Sequence, residues 1–257
     1  MVFMVLYFFQ KFYFEKILLY YIIFMLNNVD FAFYHIPKCG GSTLREFFKN
    51  MLLNKGYKES EIYIPDGENN DIMNNADFIK MIPILNDKKV LLAHINNNLY
   101  PKINAKFNIT CIRNPIHRFI SSFNHFNLLD NPKLNLEKLY LNERVLFDTL
   151  CINCYSCPCR EWFRNNIFDY NYIIIFENLE EDLKQLSSNI FDIQKELDLP
   201  HVDPGKINKF NTNFFKLDMT FPLHMEMYQH IKGNLKNDID LYNKICLFRK
   251  LNDKIIK

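Results

Sequence analysis

A chain of 257 residues that is 49% hydrophobic and 23% charged has enough apolar material for a packed core and too little charge to stay disordered. Its net charge of +2 argues against a surface built to coat nucleic acid, while allowing a local basic cleft. No internal repeat and no Gly/Ser- or Pro-rich linker divides it, so a single domain over 27–257 is expected after an apolar N-terminal segment.

That segment, residues 1–26, consists of two apolar runs separated by Lys11, Glu15 and Lys16. A spanning helix needs about 20 mostly apolar residues, and neither run reaches that length alone. Three readings stay open: a signal anchor, an interfacial amphipathic segment, or an extension upstream of a start at Met25. Membrane association through residues 1–26 and localisation stay open with them.

Phe31 to Ile36 is an aromatic and β-branched run suited to a strand covered on both faces. Pro37 ends it, and Gly40-Gly41 allow a sharp turn and a close approach to a ligand. Leu44, Phe47, Phe48, Met51 and Leu52 then follow the spacing of a helix with one buried face. Backbone N–H groups, the Ser42 and Thr43 hydroxyls and the Lys38 ammonium are thereby brought to one helix N-terminus, an anion site best suited to phosphate.

Residues 54–87 read as polar loops with one short helix. Val90 to Ile95 is a second buried strand, carrying His94 at its end, and Asn108 to Ile112 is a third. Arg113 stands at that strand's tip, with Asn114 as N-cap and Pro115 as first helical residue. Ser121 falls about two turns into the helix, so Arg113 and Ser121 can clamp a second anion.

Seven cysteines are present, four of them within Cys151–Cys159. Packing Cys151, Cys154, Cys157 and Cys159 around Pro158 is awkward for one zinc ion, which prefers well-separated pairs. Free thiols are favoured, with metal binding and disulfides left open. Tyr170 to Phe176 is a further buried strand, and Glu177 at its end reads as a structural partner for an amide or a basic side chain.

The order Pro-Lys-Cys-Gly-Gly-Ser-Thr-Leu over 37–44, followed by Arg-Asn-Pro-Ile-His-Arg-Phe-Ile-Ser over 113–121, resembles the two nucleotide-binding motifs of sulfotransferases that use 3′-phosphoadenosine 5′-phosphosulfate. The resemblance is closest to the carbohydrate (heparan sulfate 2-O/6-O-like) branch and its bacterial and viral relatives. It implies an α/β, three-layer fold with a mostly parallel sheet flanked by helices. It also implies the phosphosulfate nucleotide as co-substrate, a glycan or other hydroxyl acceptor, and no nucleic acid partner.

The 5′-phosphosulfate would be held by Pro37, Lys38, Cys39, Gly40, Gly41, Ser42 and Thr43, and the 3′-phosphate by Arg113 and Ser121. Catalytic roles fall to Lys38 and to His94 as general base, because Leu-Leu-Ala-His-Ile over 91–95 resembles the family's Gly-His motif. No metal is expected, since a sulfuryl group carries less negative charge than a phosphoryl. His35 is the runner-up as base, expected rather to pack beneath the loop, and His117 is expected to face solvent. Arg118 matches the motif's second arginine.

Lys206 to Asn213 resembles a late loop that closes over the nucleotide, and Asn237 to Tyr242 a packing segment of that branch. Golgi members of the family are single-span proteins, one of the readings open for residues 1–26. Three departures stand out: Cys39 for the usual Thr, Ala93 for Gly and Asn114 for Asp. Two alternatives remain. A P-loop kinase or nucleotide hydrolase is disfavoured by the absence of G-x-x-x-x-G-K-[ST], and a catalytically degenerate nucleotide-binding module would explain the three departures.

Overall fold

The computed structural model describes residues 26–65, 75–95, 103–129, 135–153, 170–189 and 215–255. Residues 1–25, the Lys206–Asn213 loop and Cys154, Cys157 and Cys159 lie outside them. No helix among the described residues is long and apolar enough to cross a membrane.

Five strands form one sheet: β1 (Leu26–Tyr34), β2 (Ile62–Tyr63), β3 (Val90–Ala93), β4 (Ile103–Ile112) and β5 (Tyr172–Ile175), in the order β2-β3-β1-β4-β5. Every neighbouring pair is parallel. Such a sheet is covered on both faces, so its strands can be nearly all apolar, and Phe31, Ala32, Phe33, Leu91, Leu92, Ile109 and Cys111 are buried accordingly.

The first strand begins earlier than its apolar run suggests. Leu26 pairs with Ile103, a register shift follows before Val29, and Lys106 neutralises Asp30 at 2.6 Å. Pairing to β4 therefore carries the polar residues Asn27, Asn28 and Asp30 within the strand. At the other end, His35 and Ile36 lie just beyond it.

Helix α1 (Gly41–Asn54) buries the face foreseen from its spacing, Leu44, Phe47, Phe48, Met51 and Leu52. Phe48 sits 5.0 Å from both Phe31 and Phe33, which fixes α1 on the face of β1 that carries the odd-numbered residues. Helix α2 (Asn75–Leu85) accommodates Pro83 in its last turn, where the missing N–H forfeits one hydrogen bond rather than breaking the element.

Helices α3 (Pro115–Leu129), α4 (Leu136–Asn142), α5 (Arg144–Asn153) and α7 (Pro222–Asn234) share a second core built on Phe119, Phe123, Tyr140, Phe147, Met227 and Ile231. Helix α6 (Leu179–Asn189) adds Leu183 and Leu186 to the sheet's core, and α8 (Lys236–Ile255) adds Ile245. In this strand order the chain leaves β1 toward β3 and β2 but leaves β4 toward β5. The crevice at the carboxyl ends of β1 and β4 is thus the point where connections diverge, the usual ligand position in an open parallel sheet.

Candidate active site

Two turns meet in that crevice. Beyond β1, Cys39 N–H donates to the Ile36 carbonyl at 3.2 Å, and Lys38 and Gly40 adopt φ of 65° and 77°. A left-handed lysine is unusual and costs about 1–2 kcal/mol relative to ordinary backbone. The turn delivers the chain into α1 without a side-chain cap. The first intrahelical bond runs from Leu44 N–H to the Gly40 carbonyl at 3.0 Å, so the N–H groups of Gly41, Ser42 and Thr43 have no intrahelical acceptor and suit an anion.

Beyond β4, the Asn114 side chain caps α3 by accepting from Ile116 N–H at 3.0 Å. The Asn114 backbone N–H donates to Glu177 Oε1 at 2.9 Å, and the other Glu177 oxygen accepts from the Tyr242 hydroxyl at 2.8 Å. Glu177 is therefore a structural partner, as expected. Its carboxylate also gives a reason for Asn114, because an Asp at this position would set a second negative charge beside it. His117 is exposed, 3.7 Å from Glu177.

The two turns are tied to each other. Arg118 donates from Nε to the Pro37 carbonyl at 2.9 Å, and Arg113 donates from Nη1 to the Lys38 carbonyl at 3.3 Å. Thr110 adds a buried bond from its hydroxyl to the Tyr34 carbonyl at 2.8 Å. Arg113 lies over the Phe176 ring at 4.5 Å, while its buried Nε has no hydrogen-bond partner. A buried guanidinium donor left over in this way fits an anionic oxygen.

Lys38 is half-buried beside Arg113. Burial, with the Arg113 charge second, lowers its pKa to about 8. Burial likewise lowers Arg113, which still stays charged across the physiological range. The crevice is therefore poised to gain from a ligand that brings negative charge.

On the other side of the loop, His35 and His94 follow the paired residues Tyr34 and Ala93. Their rings stack at 4.0 Å and 30°. His94 is half-buried and His35 is buried. Desolvation, then the nearby His94, Arg45, Lys38 and Arg118, holds His35 well below the usual imidazole range. Cys39 is fully buried in the sheet's core, so its thiol occupies an interior position.

Lys38, Gly40, Gly41, Arg113, Arg118, His35 and His94 are thus brought to one end of the sheet. Ser42 is exposed and Thr43 half-buried at the first turn of α1. Ser121 is half-buried along α3, and no contact draws it to Arg113; its neighbour Ser122 is fully buried with an unpartnered hydroxyl. Cys111 and Cys246 are free thiols, and Cys39 and Cys151 are buried. The described residues contain no group of three or more His, Cys, Asp or Glu arranged to hold a metal. Phe176 was missed in the sequence, where it looks like one more core aromatic.

An open parallel sheet with two cationic strand-end turns joined at its switch point is an α/β fold with its ligand crevice at that point. The model of the sulfotransferase family matches residues 22–243, and the chain belongs to that family. Membership supports sulfuryl transfer as the general chemistry, with a nucleotide sulfate donor and a hydroxyl acceptor. Among solved structures, the chain is similar to a sulfotransferase from Alicyclobacillus acidocaldarius, with 14% identity and a TM-score of 0.38 over 83% of this chain and 96% of that one. No curated protein matches the chain.

Proposed function

We propose that the protein moves the sulfuryl group of 3′-phosphoadenosine 5′-phosphosulfate to a hydroxyl of a carbohydrate or related acceptor by in-line transfer. The observation that carries this reading is the tie between the two turns, in which Arg113 and Arg118 hold the carbonyls of Lys38 and Pro37. One ligand with phosphate groups at both ends would engage both turns.

In this reading Lys38 and the N–H groups from Gly41 to Thr43 stabilise charge developing on the leaving 5′-phosphate. Arg113, with Ser121 farther along α3, anchors the 3′-phosphate and keeps the donor in register. His94, half-buried at the end of β3, removes the acceptor proton. The interior position of Cys39 weakens the case for a degenerate module, because that departure changes a core contact.

Calorimetry with adenosine 3′,5′-bisphosphate tests the donor assignment. Micromolar binding by the wild type, weakened about 100-fold by Arg113→Ala, is expected. Failure to bind the bisphosphate, together with binding of ATP and magnesium, would move the protein to the kinase class. Acceptor screening begins with desulfated glycans and uses His94→Ala as the control.

A further inference from the structure

His35 stands where three parts of the site meet. Its backbone N–H donates to the Ala93 carbonyl at 3.0 Å, which sets it one step beyond the pair Tyr34–Ala93, directly beside His94. Parallel strands in register aim such neighbours to the same face, so the stacked imidazoles follow from the pairing itself.

The same face carries Phe31, Phe33 and then His35, with Phe33 stacked on the His35 ring at 5.9 Å and 11°. Helix α1 descends onto this row. At its first residue, a Cβ on Gly41 would stand inside the His35 ring. The imidazole is therefore wedged between the start of α1 and the ring of His94.

That wedge has a cost. His35 Nδ1 is buried without a hydrogen-bond partner, and such an atom destabilises by about 1–3 kcal/mol. Phe31 and Phe33, two and four residues earlier, show that the row accepts plain hydrocarbon rings. A histidine at its end calls for a reason beyond filling space.

Resting on the sulfuryl-transfer reading above, we infer that His35 is a positioning residue for His94, setting the plane of that imidazole and its offset from the phosphosulfate loop. Its surroundings explain how one histidine supports another without competing for the proton. The groups facing it are His94 from the end of β3, Lys38 from the loop, Arg45 from α1 and Arg118 from α3, and none is anionic. Burial first and these neighbours second lower the His35 pKa well below the usual imidazole range, so the acceptor proton goes to His94 rather than to His35. The proton passes from the acceptor oxygen to His94 as that oxygen bonds to sulfur and the bond from sulfur to the 5′-phosphate oxygen breaks; His35 gains and loses nothing.

The experiment is a double-mutant cycle in which water is the acceptor and release of adenosine 3′,5′-bisphosphate from the phosphosulfate nucleotide is followed in single turnover. Expected are a loss of roughly 100-fold in rate for His35→Ala, a loss at least as large for His94→Ala, and a double variant no slower than His94→Ala alone. The calorimetric Kd for the bisphosphate should stay within about threefold throughout.

A His35→Ala loss that multiplies with the His94→Ala loss, or that appears equally in Kd, overturns the inference and leaves His35 a structural residue of the loop. A wild-type rate for His94→Ala sinks the base assignment instead, a distinct outcome. His35→Leu serves if the alanine variant does not fold. Imidazole nitrogen NMR of the unmodified protein is independent of turnover: His35 should titrate well below the usual imidazole range, and its titration near pH 6.5 refutes the assignment of the single proton-taking imidazole.

Discussion

The guanidinium of Arg113 lies 4.5 Å from the centre of the Phe176 ring, and the edge of the same ring fills the space that a Cβ on Gly40 would occupy. Phe176 is thus a platform for one anion-binding turn and a wall for the other. Replacing it with leucine removes the cation–π contact, worth about 0.5–2 kcal/mol, while keeping an apolar filler. Phe176→Leu should weaken bisphosphate binding about threefold to tenfold, well short of Arg113→Ala. Calorimetry on both variants checks the order, and equal losses would mean that the ring holds more than the guanidinium.

Lys38 makes affinity depend on pH in a predictable direction. Its pKa near 8 means that the free protein loses the ammonium charge as pH rises through 8, whereas an anionic ligand requires it. Affinity for the bisphosphate should be level from pH 7 to 7.5, then fall toward tenfold per unit above 8 until the pKa of the bound state is reached. The ligand's phosphates, titrating near pH 6, do not contribute in that window. Lys38→Arg, charged throughout, should abolish the slope. A slope retained in that variant would assign it to another group.

Local patterns explain what could be read before the fold was known. The strand, turn and helix from Phe31 to Leu52 are coded by neighbours in the chain: an apolar run, Pro37, two glycines and the spacing of Leu44, Phe47 and Phe48. The Asn114 cap and the Arg113 strand tip are equally local.

What stayed hidden depends on which strands become neighbours. Phe176 reaches Arg113 because β5 pairs with β4, and Tyr242 reaches Glu177 from a helix 65 positions away. The start of β1 at Leu26 was obscured because Asn27, Asn28 and Asp30 break the apolar run, and pairing to β4 overrides that break. The short helix expected within 54–87 is α2, whereas the two-residue β2 is invisible locally because it exists only through its pairing with β3.

Beneath β5, Arg249 and Asp182 form a buried pair at 2.9 Å. Asp182 also accepts from Ile175 N–H at 2.6 Å, and Arg249 donates to the Tyr172 hydroxyl at 3.0 Å and to the Ile173 carbonyl. The pair fastens α8 and α6 to the edge strand. Removing one partner strands the other charge in the core, so Arg249→Met should cost about 3–5 kcal/mol and lower the denaturant midpoint accordingly. A loss under about 1 kcal/mol would show that water reaches Asp182.

The depressed pKa of His35 is also a statement about stability. Below about pH 6.5 the unfolded chain binds a proton at this residue that the folded chain refuses, so the unfolded state is favoured. Stability should therefore be level above pH 6.5 as far as His35 is concerned. It should decline by up to about 1.4 kcal/mol per unit as pH falls from there toward the folded-state pKa. Carboxylates titrate mostly near pH 4, which leaves pH 5 to 6.5 to the histidines. Urea unfolding of the wild type and of His35→Leu across that range isolates one of them, since contributions shared by both proteins cancel in the difference. The variant should lose less stability on acidification than the wild type, and the gap should stop changing with pH above pH 7. A constant gap at every pH would mean that His35 carries its proton equally in both states, contrary to its burial among cations.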